Sequence, residues 1–220
     1  ISKKSCTFAA QKNVPIMLEA FYKTHNYLVD HVQVPARRLL MDEINWNDRL
    51  IAIKGGRGVG KTDFLLNYAK ELRTTNPELS KRTLYVNFND FYFTEHSLVE
   101  FAGEFVAAGG HTLLIDQAFK YPNWSRELSQ CYYNYKDLHI VFTASSVMRL
   151  VEDNKDLCSI VHPYNLRGFS FREYLNVTLG LKLPAYSLEE ILHNHIDIAH
   201  RISQRINPLD YFNDYLHHGY

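Results

Sequence analysis

The chain has 220 residues, of which 46% are hydrophobic, and its 24 lysines and arginines are balanced by 24 aspartates and glutamates. This length and composition can bury a sizeable core, and the neutral balance excludes a general electrostatic attraction to nucleic acid or to an anionic membrane. No stretch approaches the ~20 apolar residues of a membrane-spanning helix. Three widely separated cysteines without a CxxC pair favour free thiols, so we expect a cytoplasmic protein without a membrane partner.

The amino-terminal part of the chain has helical patterns. Residues 14–30 show the apolar spacing of a helix, and Pro35 fits the first turn of a second helix that runs through Ile44. A short apolar run, residues 50–53, stops at glycines and predicts a buried strand. The residues that follow the glycines, 63–73, place apolar side chains on one helical face, and the polar residues 74–81 predict a loop.

Four further apolar runs predict strands separated by segments of helical length: residues 83–88, 112–115, 139–143 and 160–166. Five such strands predict an α/β fold, a three-layer sandwich in which helices cover both faces of a mainly parallel sheet. After Phe169 the pattern turns helical. Ser187 and Glu190 have the spacing of a capping box, and Pro208 is expected to open one more helix.

The glycine-rich segment between the first strand and its helix matches the pattern GxxxxGK[ST]. Its glycines let backbone N–H groups point inward at an anion, and the helix start adds its positive dipole end. In such a P-loop, Lys61 would reach the β- and γ-phosphates and the Thr62 hydroxyl would ligate Mg²⁺. The sequence therefore predicts a P-loop NTPase with Mg²⁺ and these candidate nucleotide-binding residues: Gly55, Gly56, Arg57, Gly58, Val59, Gly60, Lys61, Thr62 and Asp63.

The second half of a P-loop site is an acidic residue at the end of a buried strand. Leu113-Leu114-Ile115-Asp116 supplies this Walker B pattern, so Asp116 is expected to hold the hydration shell of Mg²⁺. The strand at 139–143 continues into Ala144-Ser145-Ser146, at the end of the sheet where α/β proteins bind ligands. Thr143 or Ser145 is a candidate sensor of the γ-phosphate, although hydroxyls that satisfy a turn or cap a helix explain the pattern equally well.

Together these motifs resemble bacterial and archaeal AAA-type ATPases in which the ATPase domain precedes a separate C-terminal domain. Further markers are Tyr121-Pro122-Asn123-Trp124 and Ser170-Phe171-Arg172-Glu173-Tyr174-Leu175. The resemblance implies an ATP-binding domain at residues 47–180, preceded by a helical lead-in at 1–46. Residues 181–220 would begin a lid or a C-terminal domain whose remainder is absent from this chain.

The resemblance also has implications for the sheet and for partners. It implies that the strand at 83–88 lies on the far side of the sheet, which makes a small-molecule phosphotransferase the less favoured interpretation. It allows a homo-oligomer in which a neighbouring subunit supplies an arginine finger. Nucleic acid as a partner stays open. Four arginines are candidates for phosphate or subunit contacts, and the sequence does not choose among them: Arg37, Arg149, Arg167 and Arg172.

Two residues depart from the family pattern. Gln117 stands where a glutamate usually polarises the attacking water, and the loss of a general base lowers a rate by about 10²- to 10⁴-fold. We predict slow hydrolysis, with Lys61, Asp116, Gln117 and Thr143 as catalytic candidates; the alternative is a switch or scaffold that binds nucleotide without hydrolysis. Asp63 would repel a bound triphosphate, unless its carboxylate points outward and only stabilises the helix start.

Overall fold

The computed structural model describes residues 16–145 and 155–218, and one five-stranded sheet organises them. The strands are β1 (Leu50–Gly55), β2 (Thr83–Asn87), β3 (Thr112–Asp116), β4 (His139–Ser145) and β5 (His162–Asn165). All four strand pairs are parallel, and the order across the sheet is β2-β3-β4-β1-β5. The five predicted strands are therefore confirmed.

Helices flank this sheet in chain order. They are α1 (Ile16–His31), α2 (Leu40–Glu43), α3 (Lys61–Thr75), α4 (Pro77–Lys81), α5 (Tyr92–Glu95), α6 (Leu98–Ala107), α7 (Trp124–Asn134), α8 (Phe171–Leu179), α9 (Leu188–Ser203) and α10 (Phe212–His218). Two short 3₁₀ turns, Ala118–Lys120 and Pro208–Tyr211, connect some of them.

The sheet separates two hydrophobic cores, because alternate side chains of a strand point to opposite faces. Leu50 and Ala52 of β1 pack into the core that α6 and α7 cover, whereas Ile51 and Ile53 pack into the core that α3 covers. Both faces of the sheet are therefore buried beneath helices, which confirms the predicted three-layer α/β sandwich.

The strand order places β4 between β1 and β3 and leaves β2 at one edge of the sheet, the far side on which it is expected. Helix α1 packs against this edge. The Nδ1 atom of His25 accepts a hydrogen bond of 3.0 Å from the backbone N–H of Tyr85 in β2. Burial, reinforced by the positive charge of Arg73, lowers the pKa of His25 to about 4, so at neutral pH the ring is an uncharged acceptor.

Two predictions about connecting segments are wrong. Pro35 does not open a helix, because residues 32–39 are not helical and α2 is a single turn. Here the backbone N–H of Leu39 is bonded to a distant carboxylate instead of to a helical carbonyl. Residues 74–81 are not a loop: α3 extends to Thr75 and α4 follows, with the Asn76 side chain accepting from the Leu79 N–H. Pro77 in the first turn favours this helix.

The carboxyl-terminal part is helical, as expected. The Ser187–Glu190 capping box is present at the start of α9, and Pro208 opens a 3₁₀ turn that leads into α10. Leu188, Leu192 and Ile196 of α9 are exposed. In the described part of the chain, no helix is both long enough and apolar enough to cross a membrane.

Candidate functional site

The glycine-rich loop connects β1 to α3 and depends on its glycines at three positions. A Cβ on Gly55 would lie 2.6 Å from the carbonyl oxygen of Leu166 and 2.9 Å from Cγ2 of Val59, so no larger residue fits there. Gly58 and Gly60 both have φ of +86°, a left-handed conformation that L-residues rarely adopt. The loop therefore turns sharply, and α3 begins immediately after Gly60.

Lys61, the first residue of α3, folds back over this loop. Its ammonium donates to the carbonyl oxygens of Gly55 at 2.9 Å and Gly56 at 2.7 Å. Burial lowers the pKa of Lys61, while the negative charge of Asp116 opposes that shift. The ammonium therefore lies between the loop backbone and the carboxyl end of β3, where an anion bound to the loop would meet it.

Asp116, the last residue of β3, is buried and accepts hydrogen bonds on both carboxylate oxygens. Oδ2 accepts from the Thr62 hydroxyl at 2.6 Å and from the Tyr85 hydroxyl at 3.1 Å. Oδ1 accepts from the Thr143 hydroxyl at 2.6 Å and from the Gln117 backbone N–H at 3.0 Å. Four donors from α3, β2, β4 and the following turn hold the carboxylate, which connects the P-loop helix to the three strands β2, β3 and β4.

Tyr85 is the member of this network that sequence reasoning missed. Burial and the neighbouring Asp116 raise the pKa of the Tyr85 phenol, so it stays protonated and donates its hydrogen bond. The signal for it is a tyrosine between two apolar residues of a buried strand, Leu84 and Val86, because a buried phenol generally needs a polar partner. The identity of that partner depends on the order of the strands.

Gln117 turns the chain immediately after Asp116. Its backbone is left-handed, with φ of 56° and ψ of 38°, and its N–H also donates to the Thr143 hydroxyl at 2.8 Å. The 3₁₀ turn that follows buries Ala118 and leaves Phe119 and Lys120 exposed. The turn thereby places the side chains after Asp116 beside the P-loop.

These elements enclose a cavity of about 680 Å³. Its lining combines loop glycines, hydroxyls and charged side chains: Gly55, Arg57, Gly58, Gly60, Lys61, Thr62, Asp63, Asp116, Gln117, Phe119, Lys120, Thr143 and Ser145. Of the predicted site residues, Gly56 and Val59 lie outside this lining, while Phe119 and Lys120 are lining residues that the sequence did not indicate. The cavity suits a polyanion because its three cationic side chains outnumber its two carboxylates. These are Arg57, Lys61 and Lys120 against Asp63 and Asp116.

Asp63 also lines this cavity, in the first turn of α3. Burial raises the pKa of its carboxyl group, and the nearby Asp116 raises it further. The charge of Asp116 therefore disfavours ionisation of Asp63 within the same cavity. Either an anion or a cation bound there would change the ionisation of Asp63, in opposite directions.

A second, smaller cavity of about 180 Å³ also borders the P-loop and shares Gly58, Gly60 and Asp63 with the first. Its remaining walls come from the segment before β1, from α3 and from the segment after β5: Gln33, Val34, Pro35, Ala36, Arg38, Val59, Phe64, Asn67 and Phe169. Most of these side chains are apolar or aromatic. Sequence reasoning missed this cavity because its walls come from residues more than 130 positions apart.

The remaining sequence candidates within the described residues do not line the larger cavity. Arg37 forms ion pairs with Glu71 and Asp42, and Arg172 donates to the carbonyl oxygen of Leu183. Arg167 is exposed, while Arg149 and Ser146 lie outside the described residues. Within residues 16–145 and 155–218, no group of three or more His, Cys, Asp or Glu side chains is placed to hold a metal ion.

The strand order, the P-loop and the buried Asp116 define the class of P-loop NTPases. A profile of the AAA domain family matches residues 47–175, more than half of the chain, and the chain belongs to this family. It is therefore an AAA-type P-loop domain that binds nucleotide.

Individual relatives are distant. The chain is 26% identical over 178 residues to uncharacterized protein MJ1637 of Methanocaldococcus jannaschii, a match that covers 76% of this chain and 36% of that protein. Among solved structures, AMPPCP-bound DnaA from Aquifex aeolicus is similar, with a TM-score of 0.43 and 15% identity over 84% of this chain and 60% of that chain. The Aeropyrum pernix ORC1 protein in complex with DNA has a TM-score of 0.44 and 14% identity, over 76% of this chain and 49% of that one.

Proposed function

We propose that the chain binds Mg·ATP and hydrolyses it slowly. The observation that carries this proposal is the pair of cavities that border the P-loop and share Gly58, Gly60 and Asp63. The larger is lined by charged and hydroxyl groups and suits a triphosphate, whereas the smaller is mainly apolar and suits a nucleobase. A nucleoside triphosphate would occupy both at once.

The phosphate side offers groups that would bind the phosphates of ATP and the Mg²⁺ that accompanies them. The Lys61 ammonium would exchange the carbonyls of Gly55 and Gly56 for the β- and γ-phosphate oxygens. The Thr62 hydroxyl and the Asp116 carboxylate are hard oxygen ligands joined by a 2.6 Å hydrogen bond, and this donor chemistry fits Mg²⁺. Mg²⁺, when bound, neutralises charge on the phosphates.

The hydrolytic step depends on Gln117 and Thr143. Gln117 and Thr143 both line the cavity, and the Gln117 backbone N–H donates to the Thr143 hydroxyl. From these positions the Gln117 amide and the Thr143 hydroxyl would orient a water molecule beside the γ-phosphate. Neither group takes up a proton at neutral pH, so the reaction proceeds without a general base. Asp63 on the same lining adds repulsion towards the triphosphate. Both features favour slow turnover and moderate affinity.

The second candidate function is a nucleotide-responsive switch or scaffold that binds ATP without hydrolysing it, and Gln117 is the residue that favours it. Titration with Mg·ATP combined with single-turnover hydrolysis separates the two. Binding with turnover supports the ATPase, and binding without turnover supports the switch. Absence of binding contradicts both.

We further propose that residues 47–180 are the ATPase domain and that residues 181–220 begin a lid or C-terminal domain. The chain spans 36% of its archaeal relative, and α9 carries the exposed apolar side chains Leu188, Leu192 and Ile196. In this proposal the C-terminal region receives the nucleotide state, and a second copy of the chain contributes an arginine finger. A hydrolysis rate per chain that increases with protein concentration would support the contribution of an arginine finger by a second copy.

A further inference from the structure

Arg38 connects the P-loop to the segment after β5. Its guanidinium donates from Nη1 to the Val59 carbonyl oxygen at 3.2 Å and from Nη2 to the carbonyl oxygens of Arg167 and Gly168. Nε donates to the Glu173 carboxylate at 3.2 Å, and only 11% of the Arg38 side chain is exposed. One planar side chain therefore bridges three separate parts of the chain.

Glu173 holds this arginine in place from the first turn of α8. Its Oε1 also accepts from the Leu39 N–H at 3.0 Å, and its Oε2 accepts from the N–H and hydroxyl of Ser170. Burial raises the pKa of Glu173, but these hydrogen bonds and the charge of Arg38 outweigh burial, so its pKa lies below the usual value. The carboxylate thus stays ionised opposite the guanidinium at neutral pH.

The segments that Arg38 joins are the walls of the smaller cavity. Residues 33–36 and Arg38 form one wall, the loop at Val59 forms the second, and Phe169 forms the third. The Arg38 guanidinium also lies over the Phe169 ring, with Cζ 4.5 Å from the ring centroid. Its position therefore fixes how far Phe169 stands from the P-loop.

On the basis of the proposed function, we propose that Arg38, held by Glu173, is a positioning residue that shapes the base pocket and gives the site its preference for a nucleoside triphosphate over a bare triphosphate. Arg38 acts through Phe169 and Val59. The anion-binding loop between Gly55 and Thr62 has its own support from Lys61 and Asp116, so loss of Arg38 acts on the base and leaves the phosphates bound.

Titration calorimetry with Mg·ATP and with magnesium tripolyphosphate tests this inference, because the two ligands share the phosphate chain and differ by the nucleoside. For Arg38→Met we expect affinity for ATP to fall by about tenfold or more, the size of a lost base stacking contact. Affinity for tripolyphosphate should stay within about threefold of the wild-type value, since Lys61, Thr62 and Asp116 keep their contacts when the Arg38–Val59 hydrogen bond is lost. The ratio of the two affinities is the readout.

Two further variants refine the test. Arg37→Ala is the matched control, since it removes the neighbouring arginine and its ion pairs with Glu71 and Asp42 but touches no wall of the base pocket. It should leave the ratio unchanged. Arg38→Lys keeps the charge opposite Glu173 but loses the planar fork, and it replaces Arg38→Met if that variant does not fold. We expect Arg38→Lys to lower the ratio of ATP affinity to tripolyphosphate affinity, but less than Arg38→Met does.

Equal losses of ATP and tripolyphosphate affinity in folded Arg38 variants would overturn the inference, because they would show that Arg38 supports only the fold. An unchanged ratio with intact ATP binding would overturn it as well. If the wild-type protein binds neither ligand, the proposed function fails first and this inference fails with it. If the wild type binds both ligands equally, the P-loop stands and the base pocket is refuted.

Discussion

The two sides of the site are built in different ways. The phosphate side comes from eight consecutive residues, 55–62, and from residues at the carboxyl ends of neighbouring parallel strands. The base side is closed by a contact between Arg38 and Glu173, which are 135 positions apart in the chain. In the proposed function, local sequence therefore determines the chemistry of phosphate binding, whereas recognition of the base depends on contacts between distant segments.

Replacement of Lys61 by alanine should cause the largest loss of ligand affinity. The loss should come from the phosphate contacts alone. Two charge-assisted hydrogen bonds to phosphate are lost, so affinity for Mg·ATP and for tripolyphosphate should both fall by about 1,000-fold. Titration calorimetry measures both ligands. Lys70→Ala in the same helix, whose ammonium donates to the Val32 carbonyl oxygen, is the control. A loss confined to ATP would contradict the assignment of Lys61.

Gln117→Glu tests the hydrolytic part of the phosphate side. A carboxylate at this position supplies the missing general base, so single-turnover hydrolysis should accelerate by about 100-fold with little change in ATP affinity. Gln117→Ala is the control and should not accelerate the reaction. An unchanged rate for Gln117→Glu, with ATP bound, would refute this account of residue 117.

Phe169→Ala removes an aromatic wall from the base side. We expect affinity for ATP to fall by about tenfold and affinity for tripolyphosphate to stay the same, since only the base loses a stacking surface. Phe171→Ala, two residues further on, removes an aromatic ring that packs against Phe212 and Tyr215 instead. If Phe169→Ala and Phe171→Ala lowered ATP affinity equally, the proposed distinction between the phosphate side and the base side would be wrong.

Asp63→Asn should change ATP affinity least. Asp63 borders both cavities, but its side chain is exposed, so solvent weakens its repulsion towards the phosphates. Removal of one repelling charge should raise affinity for ATP by about threefold at neutral pH. The pKa of Asp63 is raised, so its charge is present above that pKa and disappears as the pH falls through it. The advantage of the variant should shrink accordingly at acid pH, measured as the ratio of the two proteins' affinities at each pH. If the ratio of the two proteins' ATP affinities did not change with pH, the proposed repulsion between Asp63 and the triphosphate would be contradicted.

The sequence was sufficient for elements whose signals are local. The apolar runs predicted all five strands, and GxxxxGK[ST] with the apolar run before Asp116 predicted most of the residues that line the larger cavity. It failed at residues 32–39, where tertiary hydrogen bonds to Glu173 override the helical tendency after Pro35. Tyr85 and Arg38 were missed for the same reason: their partners are fixed by strand order and by long-range contacts.

Titration of the wild-type protein with Mg·ATP, with magnesium tripolyphosphate as the comparison ligand, tests the central claim most directly. If one nucleotide spans the charged and the apolar cavity, ATP should bind at one site per chain and more tightly than tripolyphosphate by about tenfold. Absence of ATP binding, or equal affinities for the two ligands, would contradict the account.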